Sequence, residues 1–303
     1  MSEYFVETKN LSKKYGHHYA NEKINIHIPK GKIYGLVGRN GAGKTTFMKL
    51  VCNIINKSSG QININGKNEY ANKHYAMGAL IEAPALITEL SAYENISLKC
   101  NLCGIKNPKE HTLELLKLVQ LESTGKKPVG SFSLGMKQRV GIALALVGFP
   151  ELLILDEPIN GLDPQGMAQI RDLLIFLKDK GMTIVISSHI LSELIKVADG
   201  FGIISQGKLI SEMSIDELNK KLETTTEIDV DNIEAANKLI HSKYDYKLSN
   251  NTIILKHSST SISDIESINK ALVEHGVNVS RIETIKTDID DMFITMMGGE
   301  HYA

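Results

Sequence analysis

The sequence predicts an α/β domain built on a parallel β-sheet, followed by a small α+β domain. Three observations predict this architecture. A glycine-rich loop stands between an apolar strand pattern and a helical pattern, two further apolar runs each follow a helical stretch, and the last part of the chain follows the order βαββαβ. The chain has 303 residues, which is enough for one large domain plus a small one or for two domains of modest size.

The composition excludes several classes of protein. Hydrophobic residues make up 42% of the chain and charged residues 23%, as in soluble globular proteins with a core. The formal net charge of -1 gives no reason to expect nucleic acid or an anionic membrane as a partner. The N-terminus lacks the regions of a signal peptide, and Pro150 and Glu151 interrupt the most apolar stretch, 140–155. We therefore expect no nucleic-acid partner and no direct insertion into a membrane.

The cysteines do not predict a disulfide framework or a metal site. Cys52, Cys100 and Cys103 form a sparse, odd-numbered set, which favours a reducing compartment. Cys100 and Cys103 have C-x-x-C spacing, but no second pair follows to complete a zinc site, and the pair lies within a helical pattern. We interpret these two residues as semi-buried thiols on a helix.

The first third of the chain predicts short strands. Period-two alternation indicates half-buried antiparallel strands at 4–6, 24–28 and 61–66. Residues 33–37 form a nearly continuous apolar run, which predicts a strand buried on both faces. A helix is expected after the glycine-rich loop, from 44 to 51.

The middle of the chain predicts the rest of the parallel sheet. The pattern is helical over a subdomain that we place at about 88–147. Apolar runs at 152–155 and 183–187 predict buried strands, and because each follows a helical stretch they fit a parallel sheet with crossover helices. A hairpin-like segment, 200–213, closes a first domain that spans 1–213.

A second domain is assigned to 227–303, after a polar stretch, 214–226, that reads as a helix and a linker. The predicted strands are 227–230, 244–248, 252–256 and 279–285, and the predicted helices are 233–241 and 262–275. This order predicts a ferredoxin-like fold. The apolar end, 292–297, is interpreted as a helix packed on the small sheet, with a dimer contact or a regulatory surface as the alternatives.

The glycine-rich loop carries a phosphate-binding pattern. Residues 38–45 fit G-x-x-x-x-G-K-[ST] between a strand and a helix, and this context disfavours a chance glycine-rich turn. Backbone N–H groups would wrap the phosphates, Lys44 would neutralise the β- and γ-phosphates, and the Thr45 hydroxyl would ligate Mg²⁺. The predicted nucleotide-binding residues of the loop are Gly38, Arg39, Asn40, Gly41, Ala42, Gly43, Lys44, Thr45 and Thr46.

Two carboxylates follow the apolar run at 152–155. Asp156 and Glu157 are expected at the carboxyl edge of the parallel sheet, where α/β folds bind ligands. Asp156 would hold Mg²⁺, and Glu157 would polarise the attacking water as a general base. Such a pair could also cap a helix, but its combination with the phosphate loop favours the catalytic interpretation.

The order of motifs from residue 4 to residue 213 resembles that of the ABC-transporter ATPases. The run 156–164 resembles the Walker B motif and D-loop of that family, and 187–189 resembles its switch-histidine segment. The resemblance implies a RecA-like P-loop NTPase core with an antiparallel β-subdomain and an α-helical subdomain. It also implies roles at the nucleotide for His189, Asp163 and, by stacking on adenine, Tyr15. A packed histidine and an ordinary turn tyrosine are the alternatives.

A signature segment, 131–139, occupies the place of the family's L-S-G-G-Q motif. Ser133 and Gly135 match that motif, whereas Leu134 and Met136 depart from it. The resemblance implies that a serine hydroxyl and backbone N–H groups at a helix N-terminus meet the γ-phosphate of a partner's nucleotide. A second ATPase subunit, identical or different, is therefore expected.

Glu82 is a departure from the family pattern. The loop that ordinarily carries a glutamine reaching Mg²⁺ and the attacking water reads Ile-Glu-Ala-Pro here, with Glu82 at the glutamine position. We assign Glu82 a catalytic and metal-binding role, although the carboxylate adds negative charge beside the phosphates. This loop resembles that of bacitracin- and lantibiotic-type export and immunity ATPases; neutral drift in an exposed loop is the alternative.

The resemblance implies an ATPase that uses ATP and Mg²⁺ and energises a separate transmembrane permease. We expect export of, or immunity to, peptide antibiotics, with the chain in the cytoplasm on the inner face of the cell membrane. An importer or an ion or lipid exporter is the alternative within the same fold. A soluble ABC protein acting on ribosomes or DNA is disfavoured, because the chain has one ATPase half and no long coiled coil. A GTPase is disfavoured because no Asn-Lys-x-Asp motif is present.

Overall fold

The structure is a computed structural model that describes residues 3–68, 77–221, 224–240, 244–256, 262–286, 289 and 293. The chain divides into two compact units, Met1–Ile215 and Asp216–Ala303.

The first unit contains eleven strands and six helices among its described residues. The strands are β1 (Tyr4–Tyr15), β2 (His18–Ile24), β3 (His27–Pro29), β4 (Ile33–Val37), β5 (Ser59–Ile64), β6 (Lys67–Asn68), β7 (Met77–Leu80), β8 (Leu152–Leu155), β9 (Thr183–Ser188), β10 (Gly200–Ser205) and β11 (Lys208–Ser214). The helices are α1 (Lys44–Val51), α2 (Ala92–Leu102), α3 (Pro108–Leu118), α4 (Leu134–Ala145), α5 (Pro164–Asp179) and α6 (Leu191–Leu194). Short 3-10 helices lie at Glu122–Thr124 and Val129–Ser131.

The six-stranded central sheet has the order β11-β10-β4-β9-β8-β7. Its strands are parallel except for β11, which forms an antiparallel hairpin with β10. Every residue of β4, β8 and β9 is buried, which explains their continuous apolar runs. The predicted parallel sheet is therefore confirmed, and its carboxyl edge receives the phosphate loop after β4 and the Asp156–Glu157 pair after β8.

Strand β7 was not predicted from the sequence. It pairs in parallel with β8, with Met77 opposite Leu152. Gly78 lies so close to α4 that an added Cβ would stand 1.9 Å from Ala145 O. Tertiary packing therefore forms this strand, because four residues including a glycine carry no strand pattern of their own.

A second sheet, made of β2, β1, β5 and β6 with β3 paired to β1, is antiparallel. The predicted strand at 24–28 is wrong in its bounds, since β2 ends at Ile24 and β3 begins at His27. The Thr8 hydroxyl donates to Ile24 O (3.1 Å) and accepts from Ile26 N (2.9 Å), so a side chain interrupts the backbone ladder. Ile24, Ile26 and Ile28 are all buried, so every second residue is buried on both sides of the break. This alternation is why the sequence predicted a single strand.

The second unit begins within α7 (Ile215–Lys221), at Asp216. It comprises β12 (Thr224–Val230), α8 (Ile233–Ile240), β13 (Tyr246–Ser249), β14 (Thr252–Lys256), α9 (Ile262–Glu274) and β15 (Val279–Lys286). The antiparallel sheet order is β13-β14-β12-β15, which is the ferredoxin-like arrangement of a βαββαβ chain and confirms that prediction. Its core includes Ile228, Leu255 and Leu272.

The stretch predicted as a helix and a linker, 214–226, contains α7 and the start of β12 in its described residues. Strand β12 begins three residues before the predicted start because Thr226, although polar, is fully buried and pairs with both β14 and β15. Of the apolar end at 292–297, the structure describes Phe293, which is buried; the rest of that prediction, and the end of the helix predicted to reach 241, lie outside the described residues.

Candidate active site

The phosphate loop joins β4 to α1 and approaches neighbouring backbone closely. Gly41 and Gly43 have φ values of 81° and 110°, which favour glycine. A Cβ on Gly43 would lie 2.4 Å from Ala20 O, and one on Gly38 would lie 2.3 Å from Ile204 O. Side chains at these two positions would collide with backbone, so the glycines of the motif are required by the fold as well as by the phosphates.

Hydrogen bonds from other segments hold this loop. Gly38 N donates to Ser188 O at 3.3 Å, and Gly207 N donates to Ala42 O at 2.9 Å. The buried side chain of Asn21, on β2, donates to Gly43 O at 3.1 Å. The loop is therefore preorganised for an anion, with α1 beginning directly after Gly43.

Lys44 lies inside the loop and is only 6% exposed. Its Nζ donates to Gly38 O at 2.7 Å and stands 3.3 Å from Glu157 Oε1. Arg39 O lies at 3.5 Å from the same nitrogen and also accepts from Ala42 N at 3.0 Å. The ammonium group thus faces the centre of the loop, where it can meet the oxygens of a phosphate.

Thr45 and Asp156 place two oxygen ligands side by side. Thr45 Oγ1 donates to Asp156 Oδ2 at 2.7 Å, and Ser187 Oγ donates to Asp156 Oδ1 at 2.5 Å. Asp156 N donates to Leu80 O at 2.8 Å, which fixes the residue to β7. A hydroxyl and a carboxylate suit Mg²⁺, which usually takes one or two protein ligands together with water and phosphate oxygens.

Glu157 connects the phosphate loop to His189. Its backbone has φ 49°, an uncommon value for a residue other than glycine, and its N–H donates to Ser187 Oγ at 2.8 Å. Oε2 lies 2.8 Å from His189 Nδ1, while Oε1 makes the ion pair with Lys44 and no hydrogen bond. The structure therefore brings together three residues that the sequence predicted to act on the nucleotide.

Glu82 forms an ion pair with Lys49, a residue of α1. It has φ 64°, and its Oε1 lies 2.5 Å from Lys49 Nζ. The Glu82 side chain is 66% exposed, and among the described residues no hydrogen bond or ion pair joins it to Thr45 or Asp156. Its predicted place at Mg²⁺ stays a prediction.

Four further predicted residues lie on the surface or at helix starts. Tyr15 is 52% exposed, with Lys13 Nζ 4.7 Å from its ring centroid. Ser133 caps α4 by accepting from Met136 N, and Asp163 caps α5 by accepting from Gly166 N at 2.9 Å. Gly135 packs beside Leu162, and among the described residues no hydrogen bond or ion pair joins Ser133 or Gly135 to the phosphate loop.

The other loop residues, Asn40 and Thr46, take no part in the hydrogen bonds that the structure describes around Lys44, and Asn40 is exposed. The cysteines form no site among the described residues, which contain no cluster of three or more metal-binding side chains. Burial raises the pKa of the Cys52 thiol to about 12 and also raises that of Cys100, so both thiols stay protonated.

The comparisons with known proteins agree with this geometry. A family model described as "ABC transporter" matches residues 21–160. The bacitracin transport ATP-binding protein BcrA of Enterococcus faecalis is 41% identical over 304 residues, which cover 98% of this chain and 97% of that protein. The chain belongs to the ABC transporter ATP-binding proteins. It binds ATP and is an ATPase of that family.

Two more similar proteins support the assignment of this chain to the ABC ATPases. The lantibiotic transport ATP-binding protein SrtF of Streptococcus pyogenes is 45% identical over 211 residues, which cover 70% of this chain and 91% of that protein. The solved structure of cbiO1 from Clostridium perfringens, part of the ABC transporter complex cbiONQ, has a TM-score of 0.66 and 27% identity over 80% of this chain and 96% of its own. Within its described residues, this ABC ATPase has no helix long and apolar enough to cross a membrane.

Sequence reasoning missed three residues that bind predicted site residues of this ABC ATPase. Asn21 holds Gly43, Ser187 holds both Asp156 and Glu157, and Lys49 pairs with Glu82. Ser187 lies in the segment 187–189, which the motif order had already identified, so its place near the site could have been predicted. Asn21 and Lys49 act through contacts across 22 and 33 positions of the chain, and no local pattern marks them.

Proposed function

We propose that this chain hydrolyses ATP with Mg²⁺ at the carboxyl edge of the central sheet, with Glu157 as the general base. The observation that carries the proposal is the Glu157 carboxylate, held between Lys44 at 3.3 Å and His189 at 2.8 Å. A carboxylate that is fixed beside a phosphate-binding lysine is placed to accept a proton from a water near the γ-phosphate.

Each residue has a distinct task in this proposal. The loop N–H groups and Lys44 would bind the phosphates, and Thr45 and Asp156 would hold Mg²⁺, which would supply positive charge to the phosphate oxygens. Glu157 accepts the proton of the attacking water, which then bonds to the γ-phosphorus while the bond to the leaving oxygen of ADP breaks. His189 lies 2.8 Å from Glu157, where it would orient that carboxylate and contact the γ-phosphate. Tyr15 offers an exposed ring on which adenine can stack.

We further propose that two ATPase subunits form the working unit. Ser133 and Gly135 lie at the start of α4, and their N–H groups and hydroxyl would meet the nucleotide of the partner subunit. Asp163 is the N-cap of α5, and the preceding Leu162 packs beside Gly135. In support, no hydrogen bond or ion pair among the described residues joins Ser133 or Gly135 to the chain's own phosphate loop.

The work done by hydrolysis is proposed to be transport of peptide antibiotics by a separate permease. The support is similarity over nearly the whole chain to a bacitracin transport protein and, over the first unit, to a lantibiotic transport protein. In this proposal the chain is cytoplasmic and docks on the inner face of the membrane through the permease, by the loop from Glu82 to Tyr93. An importer or an ion or lipid exporter is the alternative.

The test is resistance in a sensitive bacterium that expresses the chain with the polytopic membrane protein encoded beside it. We expect a higher inhibitory concentration of bacitracin or of a lantibiotic, and loss of that increase in Glu157→Gln. An active ATPase that protects against neither compound would overturn peptide-antibiotic export and favour the alternative substrates.

Glu82 provides a second test within the same assay. Its position on an exposed loop, paired to α1, favours a role in linking ATP to the permease. We expect Glu82→Gln to lower resistance more than it lowers basal ATP hydrolysis. Equal losses in both measurements would show that Glu82 serves the chemical step instead.

A further inference from the structure

An ion pair joins the helix of the phosphate loop to the Glu82 loop. Lys49 Nζ lies 2.5 Å from Glu82 Oε1, and the two side chains are 28% and 66% exposed. Lys49 stands one helical turn after Thr45 on α1, so both side chains lie on the same face of that helix. The pair is therefore anchored on a helix whose first turn binds phosphate.

The other end of the pair is anchored on the metal-binding side of the site. Glu82 follows β7 by two residues, and Leu80, the last residue of β7, accepts a hydrogen bond from Asp156 N at 2.8 Å. Glu82 has a left-handed backbone conformation, φ 64°, that fixes the direction in which its side chain leaves the strand. The carboxylate thus lies at the same sheet edge as Asp156.

The number of carboxylates at this edge of the sheet indicates that Glu82 needs a positively charged counter-ion. Asp156 and Glu157 already supply two carboxylates, and Lys44 pairs with Glu157. A glutamine at position 82 would add no charge, whereas Glu82 adds a third carboxylate at the edge that receives a triphosphate. An unpaired carboxylate there would repel the nucleotide.

We propose that Lys49 is the counter-ion that makes a glutamate compatible with ATP binding at position 82. It is a positioning residue, which acts on the ATPase site by neutralising and holding Glu82. The inference rests on the proposed function, because it gives the Glu82 loop a place beside the bound nucleotide. An ion pair this exposed contributes little to the stability of the fold, so we expect its loss to change the affinity for ATP more than the melting temperature.

The test compares Lys49→Met in two backgrounds, with the affinity of the full-length protein for ATP measured by equilibrium binding, with and without Mg²⁺. In the wild-type background we expect about fivefold weaker binding, from one uncompensated carboxylate near the phosphates. In the Glu82→Gln background, where no carboxylate needs a counter-ion, the same substitution should change the affinity less than about twofold. Equal weakening in both backgrounds would overturn the proposal, because it would show that Lys49 acts independently of Glu82.

Three controls separate this role from a structural one. Lys49→Arg keeps the charge and should bind ATP within about twofold of the wild type. Lys32→Met removes an exposed lysine that pairs with Asp199 at 3.4 Å, at the opposite edge of the sheet, and should leave the affinity unchanged. The melting temperature of Lys49→Met should lie within about 2 °C of the wild type. A larger fall in melting temperature in both backgrounds would indicate a packing role for Lys49 and would contradict the proposal.

Failure of this inference can be told apart from failure of the proposed function. If the wild-type protein binds and hydrolyses ATP but Lys49→Met binds it normally, the counter-ion role is wrong and the ATPase site stands. If the wild-type protein neither binds nor hydrolyses ATP, the proposed function itself is wrong.

Discussion

Two clusters of charged side chains, one in each unit, differ in burial and in backbone conformation. In the first unit, Lys44 and Glu157 are 6% and 23% exposed at the side chain, and Glu157 has a left-handed backbone. In the second unit, Arg281 lies on the sheet and pairs with Glu227, Asp229 and Glu283 at 2.9, 3.1 and 3.0 Å, but its side chain is 49% exposed.

The difference in burial and backbone conformation favours the first cluster as the site of chemistry. Burying charges and holding a residue in a sparsely populated conformation both cost stability, and proteins retain such features mainly where function needs them. An exposed ion-pair network is solvated and contributes little. This contrast supports the proposal that the first cluster belongs to the ATPase site, whereas the second cluster has the exposure of an ordinary sheet surface. Four substitutions can break or sharpen this comparison.

The largest effect is expected from Glu157→Gln. Removal of a general base usually costs between about 10² and 10⁴ in rate, so we expect phosphate release to fall about 10³-fold, or about 4 kcal/mol in the barrier. ATP binding should be kept, and a closed dimer should accumulate. Phosphate release at the wild-type rate would remove Glu157 from the role of base.

The next largest effect is expected from Leu255→Ala, which tests the core of the second unit. Leu255 is fully buried beside Ile228 and Leu272, so its truncation should destabilise that unit by about 3 kcal/mol. Hydrogen exchange of amides in β12 and β14 measures this loss. ATP hydrolysis below the unfolding temperature should stay within about twofold of the wild type, and a parallel loss of activity would show that the second unit supports the ATPase site.

A smaller effect is expected from Lys44→Ala. Its ammonium group is the buried donor that faces the centre of the phosphate loop, and a hydrogen bond to a charged group is worth about 2 kcal/mol, or about 30-fold in affinity. Titration of the variant with ATP measures the change. Binding as tight as that of the wild type would mean that the backbone of the loop alone supplies the affinity.

The smallest effect is expected from Arg281→Ala. Because its ion pairs are exposed, the loss should be below about 1 kcal/mol in the stability of the second unit, with ATP affinity and turnover unchanged. Thermal unfolding and phosphate release provide the two measurements. A loss of several kcal/mol would show that the surface network is more important than its exposure indicates.

Local patterns predicted most of the fold and the centre of the site. The parallel sheet, the ferredoxin-like unit and the residues from Gly38 to Thr46 follow from hydrophobic periodicity and from a motif whose chemistry fixes its spacing. Asp156 followed from the same logic, because a buried strand delivers it to the ligand-binding edge.

Features that depend on distant contacts could not be predicted. The strand β7 forms because β8 and α4 pack against it, and the break between Ile24 and His27 depends on the Thr8 hydroxyl. Lys49 and Glu82 are 33 positions apart in the chain. From the sequence alone Glu82 is an unpaired negative charge, whereas in the structure it forms an ion pair. One sequence carries no signal for such pairs.

The most direct test of the central claim is hydrogen exchange of the whole chain with and without ATP and Mg²⁺, read segment by segment. The ATPase site described above predicts that nucleotide slows exchange at 38–46, 156–157 and 187–189 and leaves the second-unit strands, from β12 to β15, unchanged. Protection confined to the second unit, or none at the phosphate loop, would contradict the assignment of ATP binding to this edge of the central sheet.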